Sequence, residues 1–286
     1  MARPRLPSLF FLLSLLLAFS LLPSPALSGI DSFIYGGCSQ LKYTPASAYE
    51  TNLNSLLTSL VNSASYSTYN NFTIVGSSSQ DVVYGLYQCR GDLSMPDCSQ
   101  CVASAVRQLG VLCMGSCGGA LQLQGCFAKY DNTTFLGVED KTVVLKKCGA
   151  SIGYNSDTLS RRDAVLAGLS SGGGTYRVGG SGNVQGVAQC VGDLSPSECQ
   201  GCLSQAIGRL RTDCGTAASG DMFLAKCYVR YSSSSVGIGD YYSKADNDSS
   251  DEVGKTLAII IGLLAGVALI IVFASFLSRL CGDKGK

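Results

Sequence analysis

The sequence predicts an α+β protein of two tandem cysteine-rich units, exported and then held by one transmembrane helix. Three observations predict it. Cys89, Cys98, Cys101, Cys113 and Cys126 recur 101 positions downstream as Cys190, Cys199, Cys202, Cys214 and Cys227, and CRGDLSMPDCSQC is echoed by CVGDLSPSECQGC. Within each copy, stretches of helical and of strand periodicity alternate. Two long apolar runs, one near each end of the chain, flank the copies. Five equal spacings mark one duplicated unit, and 286 residues suit about two domains.

Composition narrows the class. Fourteen cysteines, 34 glycines and no tryptophan or histidine describe small, loop-rich units held by cross-links in an oxidising compartment. Without histidine there is no Ser-His or Cys-His pair, and the usual general base near neutral pH and the commonest metal ligand are missing. The sequence therefore argues against an enzyme and implies no cofactor or metal. Five of the basic residues, Arg3, Arg5, Arg279, Lys284 and Lys286, lie near the ends, and residues 29–256 carry 16 basic against 19 acidic side chains. Such an interior has no basic stripe for nucleic acid.

Taken in order, residues 1–28 read as a secretory signal peptide. Arg3 and Arg5 precede an apolar run over 9–22, and Ala26-Leu27-Ser28 supplies small residues for cleavage before Gly29. The first unit, 29–140, opens near Cys38. Over 48–64 the residues Leu53, Leu56, Leu57, Leu60 and Val61 have the spacing of a helix with one buried face. FTIV at 72–75 and VVYGLYQC at 82–89 read as strands. Asp97 can cap a second helix over 98–112, and 121–130 alternates as a half-buried strand would. With the shortest strands included, the order is β, α, β, β, α, β, β.

The second unit, 141–239, repeats this order: a helix over 159–169, strands over 175–178 and 184–190, a helix over 198–211 and a last strand over 223–231. Cys148 opens it 110 positions after Cys38, so this copy is nine residues shorter, and the loss is expected in the first helix and the loop after it. Residues 240–256, with Asp246, Asp248, Asp251 and Glu252, read as a polar stalk. Residues 257–277 carry no charge and are long enough to cross a bilayer. Arg279, Lys284 and Lys286 follow in the tail 278–286, so the positive-inside rule puts the C-terminus in the cytoplasm.

Several residues carry chemistry of their own. Each copy holds C-x8-C-x2-C, and the CxxC within it has the form of a zinc or redox motif. Behind a signal peptide, structural disulfides are the better reading, and six cysteines per unit leave 15 pairings open. Asp92 and Asp97 could form a carboxylate pair, but Asp92 and Asp193 recur in GDLS, which reads as turn chemistry. Asn71, Asn132 and Asn247 sit in N-x-S/T sequons and are glycosylation candidates. Gly262 and Gly266 form a GxxxG that would let two membrane helices approach. Cys281, just past the span, is a palmitoylation candidate or an unmodified thiol.

The CRGDLSMPDCSQC and CVGDLSPSECQGC stretches, with Cys113/Cys126 and Cys214/Cys227, resemble the plant stress-antifungal, or ginkbilobin-homologous, domain. Two such domains with a signal peptide, one membrane helix and a short tail resemble the plasmodesmata-located protein family. The resemblance implies that each domain packs two helices on an antiparallel sheet with three disulfides. It pairs Cys38 with Cys113, Cys89 with Cys98 and Cys101 with Cys126, then Cys148 with Cys214, Cys190 with Cys199 and Cys202 with Cys227. Cys117 is left over, as a buried thiol or a link between chains.

The resemblance further implies a membrane-anchored interaction protein, with no kinase in its tail, that sits in the plasma membrane at plasmodesmata, ectodomain outside, and modulates cell-to-cell trafficking. Partners would be other ectodomains or receptor kinases, a second copy of itself, and viral movement proteins. The alternative is a lectin-like or antifungal module at the cell wall. The single-domain antifungal relative binds mannose through Asn, Arg and Glu; the matching positions here are Ser39, Ala120 and Asp131, then Gly149, Asp221 and Ser232. Only Asp131 keeps the family charge, so the mannose site is not retained.

Overall fold

The structure is a computed structural model and describes residues 29–233. The expected signal peptide 1–28, the expected stalk 240–256, the expected span 257–277 with Gly262 and Gly266, and Asn247 and Cys281 lie outside those residues. Among the described residues no helix is long and apolar enough to cross a membrane. The chain divides into two compact units between Val138 and Glu139.

The first unit runs β1 (Phe33–Cys38), α1 (Ala48–Ser63), β2 (Tyr69–Ile74), β3 (Val83–Cys89), α2 (Met95–Leu112), β4 (Gly118–Leu123) and β5 (Cys126–Asp131). Its five strands form one antiparallel sheet in the order β1-β4-β5-β3-β2. The helical stripe on α1 buries Leu53, Leu56 and Leu60 against Val102, Ala105 and Leu109 of α2 and Leu121, Leu123 and Ala128 of the sheet. Each such side chain contributes roughly 1.5–3 kcal/mol by leaving water. Close approach is possible because β3 carries Gly85: a Cβ there would lie 2.3 Å from Leu56 Cδ2.

The second unit repeats the plan as β6 (Val143–Cys148), α3 (Ser156–Ser171), β7 (Tyr176–Ser181), β8 (Val184–Cys190), α4 (Pro196–Asp213), β9 (Ser219–Leu224) and β10 (Cys227–Ser233). The sheet order is β6-β9-β10-β8-β7. Gly186 of β8 stands where Gly85 does, with a notional Cβ 2.6 Å from Val165.

Three sequence expectations are corrected. First, α2 begins at Met95, not at residue 98, and its cap is Ser94, whose Oγ accepts the Asp97 N–H and donates to the Asp97 carboxylate. On α4 Ser195 caps the Glu198 N–H in the same way, and there the Glu198 carboxylate also accepts the Ser195 N–H, which completes the reciprocal cap. Second, the runs 121–130 and 223–231 are each broken by a two-residue turn, Gln124-Gly125 and Ala225-Lys226, into paired strands. These strands are buried on both faces. Polar groups on them are satisfied internally: Gln122 donates to the Leu123 and Cys126 carbonyls.

Third, the nine missing residues are not lost from the helix, since α1 and α3 are both 16 residues long. Most of the loss falls between the next two strands. The first unit inserts a 3-10 turn, Ser79–Asp81, between β2 and β3, where Gly182-Asn183 alone joins β7 to β8. A two-residue hairpin needs a positive φ, which Gly182 supplies at 57°.

Candidate functional site

Six disulfides lock the two units: Cys38–Cys113, Cys89–Cys98, Cys101–Cys126, Cys148–Cys214, Cys190–Cys199 and Cys202–Cys227. The fold explains the partners. Cys89 ends β3 beside the first turn of α2, which presents Cys98 to it, and Cys101, one turn on, meets Cys126 at the start of β5. The two cysteines of each CxxC thus bond to different strands, and no dithiol remains there. Cys38 ties the edge strand to the C-terminus of α2 across 75 positions.

The GDLS carboxylates sit beside these bridges and are held by cations. Asp92 receives the Arg90 Nε at 2.6 Å and Nη2 at 3.1 Å. Asp193 receives Lys226, with both side chains under 5% exposed. Asp97 is committed to its cap, so Asp92 and Asp97 are not brought together as an acid–base pair.

The three positions that bind sugar in the single-domain relative do converge in space. The Ser39 N–H donates to the Gly118 carbonyl at 2.8 Å, Gly118 lies opposite Asp131, and Ala120 is two residues along β4. Asp131 is spent locally: its Oδ1 accepts the Thr133 N–H at 3.0 Å and hydroxyl at 2.8 Å. In the second unit Gly149 donates to Ser219, which lies opposite Ser232. Asp221 is locked to Arg230 by contacts of 3.1 and 3.2 Å, and the guanidinium lies over Phe223, which stacks on Tyr228. An internal ion pair fills the place of the sugar-binding arginine.

Cys117 is a free thiol, buried beside Tyr49 and Tyr130. The Tyr49 hydroxyl donates to its carbonyl at 2.6 Å. Burial pushes the thiol pKa up, Asp131 adds to the rise and Lys42 opposes it. Cys117 also borders a cavity of about 400 Å³ with Lys42, Tyr43 and Asn132. Of the sequons, Asn71 is exposed on β2, at the sheet edge, where its Nδ2 donates to the Tyr69 hydroxyl at 2.8 Å, and Asn132 is half-buried at that cavity.

Arg177 gave no signal in the sequence. It lies on β7 and is 8% exposed. Its Nε donates to the Gly174 carbonyl at 3.1 Å, and its Nη1 to the Leu169 and Ser170 carbonyls and Gln200 Oε1 at 2.8 to 3.0 Å. Burial lowers its pKa. A lone arginine in a strand of glycines has no periodicity to betray it; only the comparison of the two units exposes it.

Comparison with known proteins places these features in a family. The salt stress response/antifungal family signature matches residues 37–133 and 147–234. Plasmodesmata-located protein 7 of Arabidopsis thaliana is 64% identical over 279 residues, spanning 97% of this chain and 92% of that protein. Plasmodesmata-located protein 6 of the same plant is 61% identical, spanning 93% and 94%. The crystal structure of the tandem DUF26 ectodomain of the A. thaliana cysteine-rich receptor-like protein PDLP5 superposes with a TM-score of 0.68 at 54% identity, covering 71% of this chain and 99% of that one. The corresponding ectodomain of PDLP8 gives 0.69 at 46% identity over the same shares.

Proposed function

The chain belongs to the salt stress response/antifungal family and, within it, to the plasmodesmata-located proteins, and from that membership we propose a non-enzymatic extracellular interaction protein that modulates cell-to-cell trafficking at plasmodesmata. The observation that carries this reading is identity of 64% across 97% of the chain, which takes in both units and the flanking segments. In this reading residues 257–277 cross the plasma membrane, the two units face the wall and the C-terminus is cytoplasmic.

The geometry supports binding rather than catalysis. The carboxylates that sequence analysis singled out are consumed by caps, turns and internal ion pairs, as with Asp97, Asp131 and Asp221. What the units offer is a rigid, cross-linked surface, suited to another ectodomain, a receptor kinase, a second copy of the chain or a viral movement protein. Imaging a C-terminal fluorescent fusion tests the address. Paired puncta across the wall are expected, and uniform plasma-membrane label would remove the plasmodesmal part of the reading.

A further inference from the structure

Arg177 is a buried cation without a counter-ion. Among the described residues no carboxylate forms an ion pair with it. Its Nε and Nη1 are bound to three carbonyls and Gln200, while its Nη2 donates to no protein atom among the described residues. It borders a cavity of about 290 Å³ whose wall includes Gly172, Gly174, Leu194, Pro196 and Gln200.

The first unit shows what a purely structural solution to the same problem looks like. The Cys89 N–H donates to the Thr68 carbonyl and the Cys190 N–H to that of Thr175, so Ser67 and Gly174 are equivalent positions. In the first unit the Ser67 carbonyl accepts the Tyr87 hydroxyl at 2.9 Å, and Tyr87 is fully buried. At its equivalent in β8 stands Ala188. The ring is gone, and Arg177 reaches over from β7 to take the Gly174 carbonyl in its place. A neutral phenol suffices for that carbonyl. Burying a full charge costs more than burying a hydroxyl unless an anion meets it, and a guanidinium with a free amine is built to donate to one.

The surroundings fit the same ligand. Pro196 and Cys199, in the first turn of the 18-residue α4, border the cavity, so the positive end of that helix faces it. The nearby Glu198 carboxylate is occupied, accepting the Ser195 N–H and hydroxyl at 2.8 and 2.6 Å. Leu194, Pro196 and the glycine backbones make the rest of the wall mainly apolar. We propose that the cavity beside Arg177 is a binding site for a small carboxylate with an apolar body, present in the second unit alone.

The test is calorimetric titration of the full-length protein, solubilised in detergent, with benzoate and with benzyl alcohol as its neutral counterpart. Benzoate is expected to saturate one site per chain and to bind at least about tenfold more tightly than the alcohol, the worth of one charge-assisted hydrogen bond. Arg177→Gln should weaken benzoate by about the same factor, with Arg177→Lys in between. Absence of saturable heat, equal binding of the alcohol, or undiminished benzoate binding to Arg177→Gln would each overturn the proposal. Arg177→Gln could fail to fold for want of a donor to its carbonyls. The double variant Arg177→Asn with Ala188→Tyr, which installs the first unit's own residues, covers that case: it must fold and lose benzoate, and retained binding refutes the site.

Discussion

Asp193 and Lys226 form an ion pair with side chains 4% and 3% exposed, whereas the first unit pairs the equivalent carboxylate at the surface and from the opposite side, with Asp92 46% and Arg90 25% exposed. There Gly125 stands in the place of Lys226, and Asp92 takes its cation from Arg90, where the second unit has Val191. Gly125 cannot carry a side chain, because a Cβ would lie 2.9 Å from Ile30. Removing one member of a buried pair strands the other charge, so Lys226→Gly should destabilise the second unit by roughly 3–5 kcal/mol. Adding Val191→Arg should return part of that loss by supplying the first unit's cation. Urea midpoints of the two variants measure it; no recovery in the double variant would mean that the two arrangements are not interchangeable.

The bridges should differ in worth according to the loops they close. Cys38–Cys113 spans 75 positions, Cys101–Cys126 spans 25 and Cys89–Cys98 spans nine. Chain entropy gives about 4.5, 3.5 and 2.6 kcal/mol in that order. Paired Cys→Ser variants unfolded in urea should follow the same ranking. The buried Cys89–Cys98 bridge costing most would show that lost packing outweighs loop entropy.

Much of this fold was legible in the chain because its signals are local. The stripe of Leu53, Leu56 and Leu60 marks a helix whatever surrounds it, and the equal cysteine spacings mark the duplication. The short turn at Gln124-Gly125 was hidden, because the residues on both sides of it keep apolar character and both faces of β4 and β5 are buried. The sequence points to the wrong segment for the length difference for a related reason: α3 has a weaker apolar stripe than α1, with the buried Arg162 in the place of Leu53, so its first turns read as loop. Spacing could not choose the cysteine partners, because that choice is made where α2 crosses β3 and β5. Arg177 was invisible since its meaning depends on Ala188, eleven residues away on the neighbouring strand.

Cys117 should be silent toward alkylating reagents in the native protein at neutral pH, because burial and Asp131 hold it protonated. Maleimide labelling after denaturation alone is the expected result. The same shift links stability to pH. An unfolded thiol ionises near about 8.5 and a tyrosine near about 10, while in the folded chain Cys117, Tyr87 and Tyr231 are all raised, chiefly by burial. Their contribution is complete below those unfolded values and is lost as pH rises through the folded ones. The urea midpoint should therefore hold through neutrality and fall above about pH 8.5, more steeply above about 10. Cys117→Ala should remove the first part of the fall, and a parent midpoint that is unchanged by longer incubation at high pH would exclude thiol–disulfide exchange as its cause. A midpoint that climbs with pH would contradict the sign.

Mannose should not bind at the positions its single-domain relative uses. In the second unit the sugar-binding arginine is replaced by Asp221, and freeing that carboxylate would mean breaking two contacts to Arg230 at 3.1 and 3.2 Å and stranding a buried charge, a cost of roughly 3–5 kcal/mol. In the first unit Ala120 offers no donor, and Asp131 would have to release the Thr133 turn. A glycan array probed with the full-length protein should therefore show no mannose signal, and Asp131→Ala should leave the array unchanged. Mannose binding that Asp131→Ala abolishes would instead mean that the turn opens on contact with sugar, and would move the chain from an interaction protein to a lectin.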